Sequence, residues 1–153
     1  VFMAHQVFLG LGSNLGDKEA NLRAAIYEIE KRIGKVISLS AFYTTEPWGF
    51  TSENTFVNAV CKVDTSFLPM EVLQITQAIE KDLGRIQKSV HGNYSDRSMD
   101  IDILLYDDII LHTDQLTIPH PLMCERKFVL EPLVEIAPEL IHPITGKTFK
   151  EYL

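Results

Sequence analysis

Two amphipathic helical segments alternate with strand-like segments along this chain, and that alternation most strongly limits the folds open to it. Apolar residues recur at helical spacing over residues 22–33 and again over residues 68–83. Apolar, β-branched and aromatic residues form strand-like segments at 6–11, 36–43, 56–63 and 99–106. The order β-α-β-β-α-β predicts a ferredoxin-like α+β sandwich, in which both helices cover one face of a four-stranded antiparallel sheet.

Glycine, proline and polar residues mark the boundaries of these segments. Gly34 and Gly84 follow the two helical patterns as expected stops, and Pro69 fits only the first turn of the second helix. Residues 44–55 and 87–98 are polar and without a period, so they predict two loops long enough to carry function. Asp107 and Asp108 predict a turn, after which a short strand at 116–118 and a helix at 126–136 form a C-terminal extension.

The length of 153 residues fits one domain, and we expect a single catalytic domain over 1–153. Because Val1 and Phe2 precede Met3, residues 1–5 are expected to be partly foreign to the natural chain, and Val1 and Phe2 carry no structural expectation. The first residues lack the basic flank and apolar core of a signal peptide, and no apolar run approaches the ~20 residues of a membrane span. These features predict a cytoplasmic protein that does not bind membranes.

Charge and cysteine content narrow the possible partners. The net charge is −7, from 21 acidic and 14 basic residues, which disfavours general binding to nucleic acid. Arg85, Lys88 and Arg97 nevertheless cluster in one short stretch, and such a cluster in an acidic protein suggests a small anionic ligand. Cys61 and Cys124 form no C-x-x-C pattern, so buried free thiols in a reducing compartment are expected.

The pair Asp100 and Asp102 is the strongest candidate for chemistry. Side chains alternate along a strand, so both carboxylates project from one face, about 7 Å apart. A divalent cation would offset their repulsion, and Mg²⁺ favours one or two carboxylates together with phosphate oxygens and water. The alternative is the solvated face of an edge strand. Arg97 just before the pair favours the metal, because carboxylates beside phosphate-binding bases are typical of phosphoryl transfer.

Aromatic and amide side chains suggest a site for a flat ligand. Phe56 and Asn58 share one face of a predicted strand, and Phe128 lies in the C-terminal helix. A heterocycle between two phenyl faces, with an amide at its polar edge, would fit this set. The alternative for each phenylalanine is packing in the core.

The remaining candidates have simpler alternatives. Gln77 and Glu80 share one side of the second helix, where solvent exposure is the default. His120 lies in a rigid Pro-His-Pro turn, where an exposed histidine is the ordinary interpretation. The glycines from Gly10 to Gly16 fit neither the dinucleotide-binding nor the Walker A spacing, so a strand-to-helix turn is favoured.

Taken together, the motifs of this chain resemble the 6-hydroxymethyl-7,8-dihydropterin pyrophosphokinase family of folate biosynthesis, from about residue 6 to the C-terminus. The resemblance rests on Gly12-Ser13-Asn14-Leu15-Gly16, Tyr43-Thr44-Thr45-Glu46-Pro47-Trp48-Gly49, Phe56-Val57-Asn58-Ala59, Ile79-Glu80, Gly84-Arg85, Arg97-x-x-Asp100-Ile101-Asp102, Pro119-His120-Pro121 and Arg126-x-Phe128-Val129-Leu130. In this order and spacing the motifs are highly specific.

The resemblance implies an enzyme that transfers diphosphate from ATP to the hydroxymethyl group of the pterin and releases AMP. It implies that Asp100 and Asp102 bind two Mg²⁺ ions and that Arg85 and Arg97 join them as catalytic residues. It assigns to ATP the residues Gln77, Glu80, Lys88, Ile103, Thr117, His120 and Arg126. It assigns to the pterin Thr45, Pro47, Trp48, Phe56, Asn58 and Phe128. The two polar loops match mobile family loops that close over the substrates.

One segment departs from the family pattern. The family usually has a basic residue followed by Gly-Pro-Arg ahead of the acidic pair, whereas this chain has Asn93-Tyr94-Ser95-Asp96-Arg97. The departure concerns loop closure and ATP affinity more than the metal site. Two other functions stay open at this point: a non-catalytic ligand-sensing or RNA-binding module on the same fold, and a metal-dependent phosphohydrolase. We expect a monomer.

Overall fold

The computed structural model describes residues 4–45, 55–84 and 99–153. Its strands are β1 (His5–Ser13), β2 (Gly34–Leu39), β3 (Tyr43–Thr45), β4 (Phe56–Thr65), β5 (Asp100–Tyr106), β6 (Leu111–His112) and β7 (Thr117–Ile118). Its helices are α1 (Lys18–Arg32), α2 (Pro69–Gly84) and α3 (Lys127–Ile136), with short 3-10 turns at Met123–Glu125 and Phe149–Tyr152. Each predicted helix and strand has a counterpart, although the strand predicted at 36–43 is divided between β2 and β3, and Asp107 and Asp108 form the predicted turn.

The main sheet has the strand order β2-β4-β1-β5, and every neighbouring pair is antiparallel. β3 pairs with β4 beyond the end of β2, and β6 and β7 form a separate two-stranded ribbon. With α1 and α2 as the connections, this order confirms the predicted ferredoxin-like topology.

The two predicted helices cover one face of the sheet. α1 begins after Asp17, whose carboxylate accepts a hydrogen bond from the Ala20 amide at 3.2 Å, a typical N-terminal cap. Its buried residues are Leu22, Ala25 and Ile29, and those of α2 are Val72, Thr76 and Ile79. The apolar ones pack with Val7, Leu9 and Leu11 of β1 in one core. The prediction that both helices share a face is confirmed.

The C-terminal part of the chain, predicted only as an extension, packs on the other face of the sheet. Val129, Leu130 and Leu133 of α3 lie in a second core with Phe8 and Leu104 of the sheet. Phe149 from the last 3-10 turn is fully buried in the same core. The described part of the molecule therefore has three layers, with the sheet in the middle.

A bulge in β5 decides which of its side chains face the C-terminal layer. Phe8 of β1 pairs with Leu105 while Leu9 pairs with Ile103, so Leu104 is an extra residue on β5. Leu104 and Leu105 both enter the C-terminal core, whereas Ile103 enters the helix-covered core. Before the bulge the side chains alternate normally, which puts Asp102 on the same face as Leu104.

The predicted strand at 36–43 is wrong over Ser40–Phe42, where the chain leaves the ladder between β2 and β3. Ser40 replaces part of the backbone pairing, since its amide donates to the Val60 carbonyl and its hydroxyl accepts from the Val60 amide, both at 3.0 Å. The predicted loop at 44–55 is wrong at its start, because Thr44 and Thr45 belong to β3. The rest of that loop, 46–54, and the whole predicted loop at 87–98 lie outside the described residues.

Gly34 follows α1 at the predicted position but for a different reason than a helix stop. Its φ is not in the left-handed region, and it begins β2 instead. A Cβ at this position would overlap the backbone carbonyl oxygen of Asp64, so the close approach of β2 to β4 requires glycine.

The two cysteines are free, as expected. Cys61 is buried, and burial raises the pKa of its thiol to about 12, so it stays protonated and unreactive. Cys124 is only half-buried, against the expectation that both thiols are buried. Within the three described ranges, none of the helices combines the length and apolar character that crossing a bilayer requires.

Candidate active site

Two rows of directly paired residues cross the sheet on the face that carries α3. The first row runs from Tyr43 through Asn58 and Gly12 to Asp100, and each residue pairs with the next. The second row contains Gly10 and, on the neighbouring edge strand, Asp102. Since paired residues point to the same side of a sheet, the predicted ligand-reading amide and the predicted metal-binding carboxylates share one surface.

Gly10 and Gly12 form the floor between the amide and the carboxylates. A Cβ on Gly12 would lie 2.9 Å from the Asn58 amide oxygen, too close for the side chain to keep its place. A Cβ on Gly10 would lie 3.4 Å from Leu104, which is an ordinary contact. The bare backbone at Gly12 therefore makes room for Asn58, whose side chain is 5% exposed. The spacing of these glycines in the sequence predicted only a strand-to-helix turn.

Asp100 and Asp102 lie half-buried on the predicted face of β5, while Ile101 between them is buried in the opposite core. β5 is the edge of the main sheet, but its outer side is partly covered. The Glu80 carboxylate of α2 accepts a hydrogen bond from the Ile101 amide at 2.8 Å. Further along, the His120 amide donates to the Leu104 carbonyl at 3.0 Å. The outer edge of β5 is therefore partly covered by α2 and by the segment that contains His120.

The carboxylates concentrate negative charge at this edge. The pKa of Glu80 is raised to about 7, mainly because burial disfavours its charged form, and the charges of Asp100 and Asp102 add to the rise. The hydrogen bond from Ile101 opposes it. Burial and the two neighbouring carboxylates therefore both disfavour the charged form of Glu80.

The donor set fits a metal that takes most of its ligands from substrate and water. Within the ranges 4–45, 55–84 and 99–153, no group of three or more His, Cys, Asp or Glu side chains is arranged to hold a metal ion. Mg²⁺ is bound in many nucleotide sites by one or two carboxylates, with phosphate oxygens and water as its other ligands. Asp100 and Asp102 can supply the protein's part of such a site.

His120 lies near enough to Asp100 for the Asp100 charge to affect its pKa, and its ring accepts a backbone hydrogen bond. The Leu122 amide donates to Nδ1 at 3.2 Å, so the neutral ring carries its proton on Nε2. The pKa of His120 is lowered by burial and by the positive charge of Arg126, while Asp100 opposes the shift. His120 is therefore neutral near pH 7 and presents an Nε2–H donor.

Arg126 and Phe128 stand at the start of α3. The Arg126 guanidinium carbon lies 5.6 Å from the centre of the Phe128 ring, within the range of a cation–π contact. Phe128 is half-buried against the C-terminal core, and Phe56 is half-buried on the strand that carries Asn58. Both phenylalanines are thus on the α3 side of the sheet, where each leaves part of its ring exposed.

The other predicted site residues differ in how far they are exposed and in whether the structure describes them. Gln77 is exposed on α2 one turn before Glu80, and Thr117 is half-buried at the start of β7. Ile103 is 4% exposed in the helix-covered core, so only its backbone can reach a ligand at the sheet edge. Thr45 is the last residue of β3. Five predicted residues lie outside the described part of the chain: Pro47, Trp48, Arg85, Lys88 and Arg97.

Comparison with known proteins gives a consistent result over most of the chain. A family model described as 7,8-dihydro-6-hydroxymethylpterin-pyrophosphokinase (HPPK) matches residues 8–138. The 2-amino-4-hydroxy-6-hydroxymethyldihydropteridine pyrophosphokinase of Porphyromonas gingivalis is 49% identical over 138 residues, which are 90% of this chain and 93% of that protein. The enzyme of the same name from Aquifex aeolicus is 41% identical over 146 residues, covering 95% of this chain and 89% of that protein.

Solved structures share the fold at low sequence identity. A chain described as HPPK-DHPS in complex with substrates superposes with a TM-score of 0.76 at 20% identity, over 98% of this chain and 43% of that chain. Wild-type HPPK-DHPS of Plasmodium falciparum gives a TM-score of 0.78 at 16% identity, over 98% of this chain and 44% of that chain. This chain therefore spans less than half the length of the matched structures, and the likeness concerns the fold.

Proposed function

The chain belongs to the 7,8-dihydro-6-hydroxymethylpterin-pyrophosphokinase family, and we propose that the surface formed by Asn58, Gly12, Asp100 and Asp102 is its active site. The activity is the transfer of diphosphate from ATP to the hydroxymethyl group of 6-hydroxymethyl-7,8-dihydropterin, a step of folate biosynthesis that leaves AMP. The observation that carries the proposed site is the paired row from Asn58 through Gly12 to Asp100, because it joins an amide suited to a heterocycle to carboxylates suited to a metal.

We propose Asp100 and Asp102 as the protein ligands of two Mg²⁺ ions that bind with ATP. The two carboxylates face the same side of β5, and the Glu80 carboxylate reaches the same edge through its hydrogen bond from the Ile101 amide. When bound, the ions would neutralise charge on the triphosphate and on the phosphorus under attack. The contribution of the chain itself is a rigid strand, held at its outer edge by Glu80, that fixes the two carboxylates relative to each other.

On the ATP side, His120 and Arg126 are the described residues best placed to meet phosphate or ribose oxygens. The neutral His120 ring can donate from Nε2 while Leu122 holds Nδ1. Arg126 supplies a permanent positive charge near the start of α3. The assignments of Gln77, Glu80, Ile103 and Thr117 to ATP, and of Arg85, Lys88 and Arg97 to the phosphates, remain proposals from the sequence pattern.

On the pterin side, Asn58 would read the polar edge of the ring while Phe56 and Phe128 contact its faces. Gly12 supports this because its missing side chain leaves the Asn58 amide in place. Aromatic rings prefer offset or edge contacts with other flat rings, and they supply much apolar area at low entropic cost. Thr45, Pro47 and Trp48 are proposed to complete this subsite from the end of β3 onward.

The arrangement would accelerate the reaction chiefly by positioning. Phosphoryl-type transfer needs little covalent help from the protein, so the main requirements are an in-line approach of the hydroxymethyl oxygen and stabilisation of charge. A pterin at Asn58 and a triphosphate at Asp100 would meet above Gly12. The two substrates would therefore react across the floor formed by the two glycines.

The test incubates the protein with ATP, Mg²⁺ and 6-hydroxymethyl-7,8-dihydropterin and follows the nucleotides by chromatography. AMP that forms only when the pterin is present supports the proposal. ADP with inorganic phosphate would indicate the phosphohydrolase instead, and folded protein without turnover would favour the non-catalytic module.

We also propose that the chain acts as a monomer in the cytoplasm. The two free cysteines fit a reducing compartment, where disulfides are rare. Light scattering of the purified chain at two protein concentrations would test the monomer, since a concentration-dependent mass contradicts it.

A further inference from the structure

One carboxylate near the end of α3 connects this helix to the start of β3. The Glu135 oxygens accept hydrogen bonds from the Ala41 amide at 3.1 and 3.2 Å. One of them also accepts from the Tyr43 hydroxyl at 2.6 Å. Ala41 lies in the interruption between β2 and β3, and Tyr43 is the first residue of β3. Glu135 thus anchors the chain where it returns to the sheet.

The two partners of this contact belong to opposite walls of the proposed pterin subsite. Tyr43 pairs directly with Asn58 across β3 and β4. Glu135 belongs to the same helix as Phe128, which stands near its other end. A displacement of α3 along or around its axis would move Phe128 relative to Asn58, and the Glu135–Tyr43 contact opposes such a displacement.

Apolar packing alone would fix the position of α3 relative to β3 and β4 less specifically. Val129, Leu130 and Leu133 attach α3 to the sheet through apolar contacts, which are strong but have little directional preference. Over the described residues, β3 comprises Tyr43–Thr45 and pairs there with β4. A short hydrogen bond to a carboxylate is directional and stronger than one between neutral groups. It can therefore fix the register between helix and strand.

We propose that Glu135 and Tyr43 are positioning residues that set the gap between Phe128 and the strand carrying Phe56 and Asn58, and thereby the affinity for the pterin ring. This inference rests on the proposed function, because it concerns the pterin subsite of that same reaction. It assigns a role in substrate binding to two residues that need not touch the substrate.

The protonation of Tyr43 supports this role. The hydrogen bond to Glu135, burial, and the charges of Glu135 and Glu131 raise the pKa of Tyr43 to about 12. The phenol therefore stays protonated and able to donate over the whole range in which the enzyme would work.

The test measures kcat and both KM values for Glu135→Ala, Tyr43→Phe and Glu135→Gln. We expect the KM for the pterin to rise about tenfold in Glu135→Ala and about fivefold in Tyr43→Phe, the loss expected for one or two charge-assisted hydrogen bonds. The KM for ATP should rise less, by no more than about twofold, because most residues proposed for the metal and ATP lie outside α3, on α2, on β5 and around His120, while Arg126 stands at the end of α3 opposite to Glu135. Glu135→Gln keeps an acceptor for the tyrosine and should recover most of the pterin affinity.

Glu131→Ala is the matched control, because Glu131 is exposed on the same helix one turn earlier. It removes the same charge from α3, and its pterin KM should change less than about twofold. The double variant Glu135→Ala/Tyr43→Phe should be no worse than Glu135→Ala alone, since both changes break one contact.

Several outcomes would overturn the inference. If Tyr43→Phe and Glu135→Ala remain folded by circular dichroism and keep the wild-type pterin KM, the contact does not set the gap. Equal increases in the KM for ATP and for the pterin would indicate general loosening of the fold. Wild-type protein without pterin-dependent AMP would contradict the proposed function itself, whereas an active wild type with unaffected variants would contradict only the positioning role.

Discussion

The same strands form both faces of the central sheet, but one face is apolar and buried and the other carries polar residues. On the face covered by α1 and α2, the side chains that β5 contributes before its bulge are Ile101 and Ile103, both buried. On the other face the same stretch contributes Asp100 and Asp102, both half-buried. Strand alternation separates the two sets completely, so stability and chemistry can be served by neighbouring residues.

The difference between the faces comes from how much of each face is covered. The C-terminal layer packs over Phe8, Val60 and Leu104. The row that contains Gly12 lies further along the same strands and carries Asn58 and Asp100. The Gly10 row is at the boundary, because it joins the covered Val60 to Asp102. A sheet face covered over part of its length leaves a surface beside a rigid core, which is a favourable place for a site that needs fixed side chains.

The largest effect should come from the polar face. Asp102→Asn removes one of the two carboxylates with almost no change in shape, so kcat should fall about a thousandfold, as for loss of a group that stabilises transition-state charge. The melting temperature should stay close to that of the wild type. The assay is pterin-dependent AMP formation at saturating ATP and Mg²⁺.

Asp108→Asn provides the control for Asp102→Asn, because Asp108 is an exposed acid in the turn that follows β5. It should keep wild-type kcat. Activity retained in Asp102→Asn would mean that the face assigned to catalysis is the wrong one.

The helix-covered face should give the reverse result. Leu9 is fully buried in its core, and Leu9→Ala should lower the free energy of unfolding by about 2–5 kcal/mol through lost burial and a cavity. At temperatures where the variant remains folded, kcat should stay within about threefold of the wild type. Urea unfolding measures the free energy of unfolding, and the same activity assay measures kcat. A large loss of kcat in folded Leu9→Ala would contradict the assignment of stability and catalysis to different faces of the sheet.

An intermediate effect is expected at the floor of the site. In Gly12→Ala the new methyl group would displace the Asn58 amide, which it approaches to 2.9 Å, so the KM for the pterin should rise about tenfold. Gly10→Ala is the matched control because its methyl group would make an ordinary 3.4 Å contact with Leu104. Similar pterin KM values for the two variants would show that the absence of a side chain at Gly12 does not determine the position of Asn58.

Local patterns were enough to predict most of the fold. Helical periodicity identified α1 and α2, and strand alternation placed Asp100 and Asp102 on one face, because both signals depend on residues close in sequence. The break between β2 and β3 was not predicted, since Ala41 bonds to Glu135, which is 94 residues away. The bulge at Leu104 was missed for a related reason, because it is defined by register against β1.

The candidate site was predictable to a similar degree. The identity of its carboxylates and of Asn58 came from the sequence pattern and the resemblance. The role of Gly12 depends on its pairing with Asn58 and Asp100, which no local pattern encodes. Two glycines separated by one residue in an apolar strand were the available signal, since glycine in a strand often marks a close approach of other groups.

The smallest effect concerns the C-terminal layer, which packs on the same face of the sheet as the proposed site. His142 is 9% exposed, and its Nδ1 accepts from the Ile144 amide at 3.1 Å, which requires an unprotonated ring nitrogen. Burial lowers the pKa of His142 below its ordinary value of 6.5. The stability that this residue contributes is therefore fully present above the unfolded-state pKa and is lost as the pH falls through the lower folded-state pKa.

Acidification should consequently loosen the C-terminal layer, where the His142 ring lies 5.3 Å from that of buried Phe149. Thermal unfolding followed from pH 7.5 downward should show a decline in melting temperature that is smaller in His142→Ala, because that variant has no proton to take up at this position. The pKa of His120 is also lowered. Because His120 is present in both proteins, its contribution to the pH dependence of the melting temperature is the same in both and cancels in the comparison. An identical pH dependence in the two proteins would show that the layer covering this face does not depend on an unprotonated His142, and the difference between the two faces would then rest on apolar packing alone.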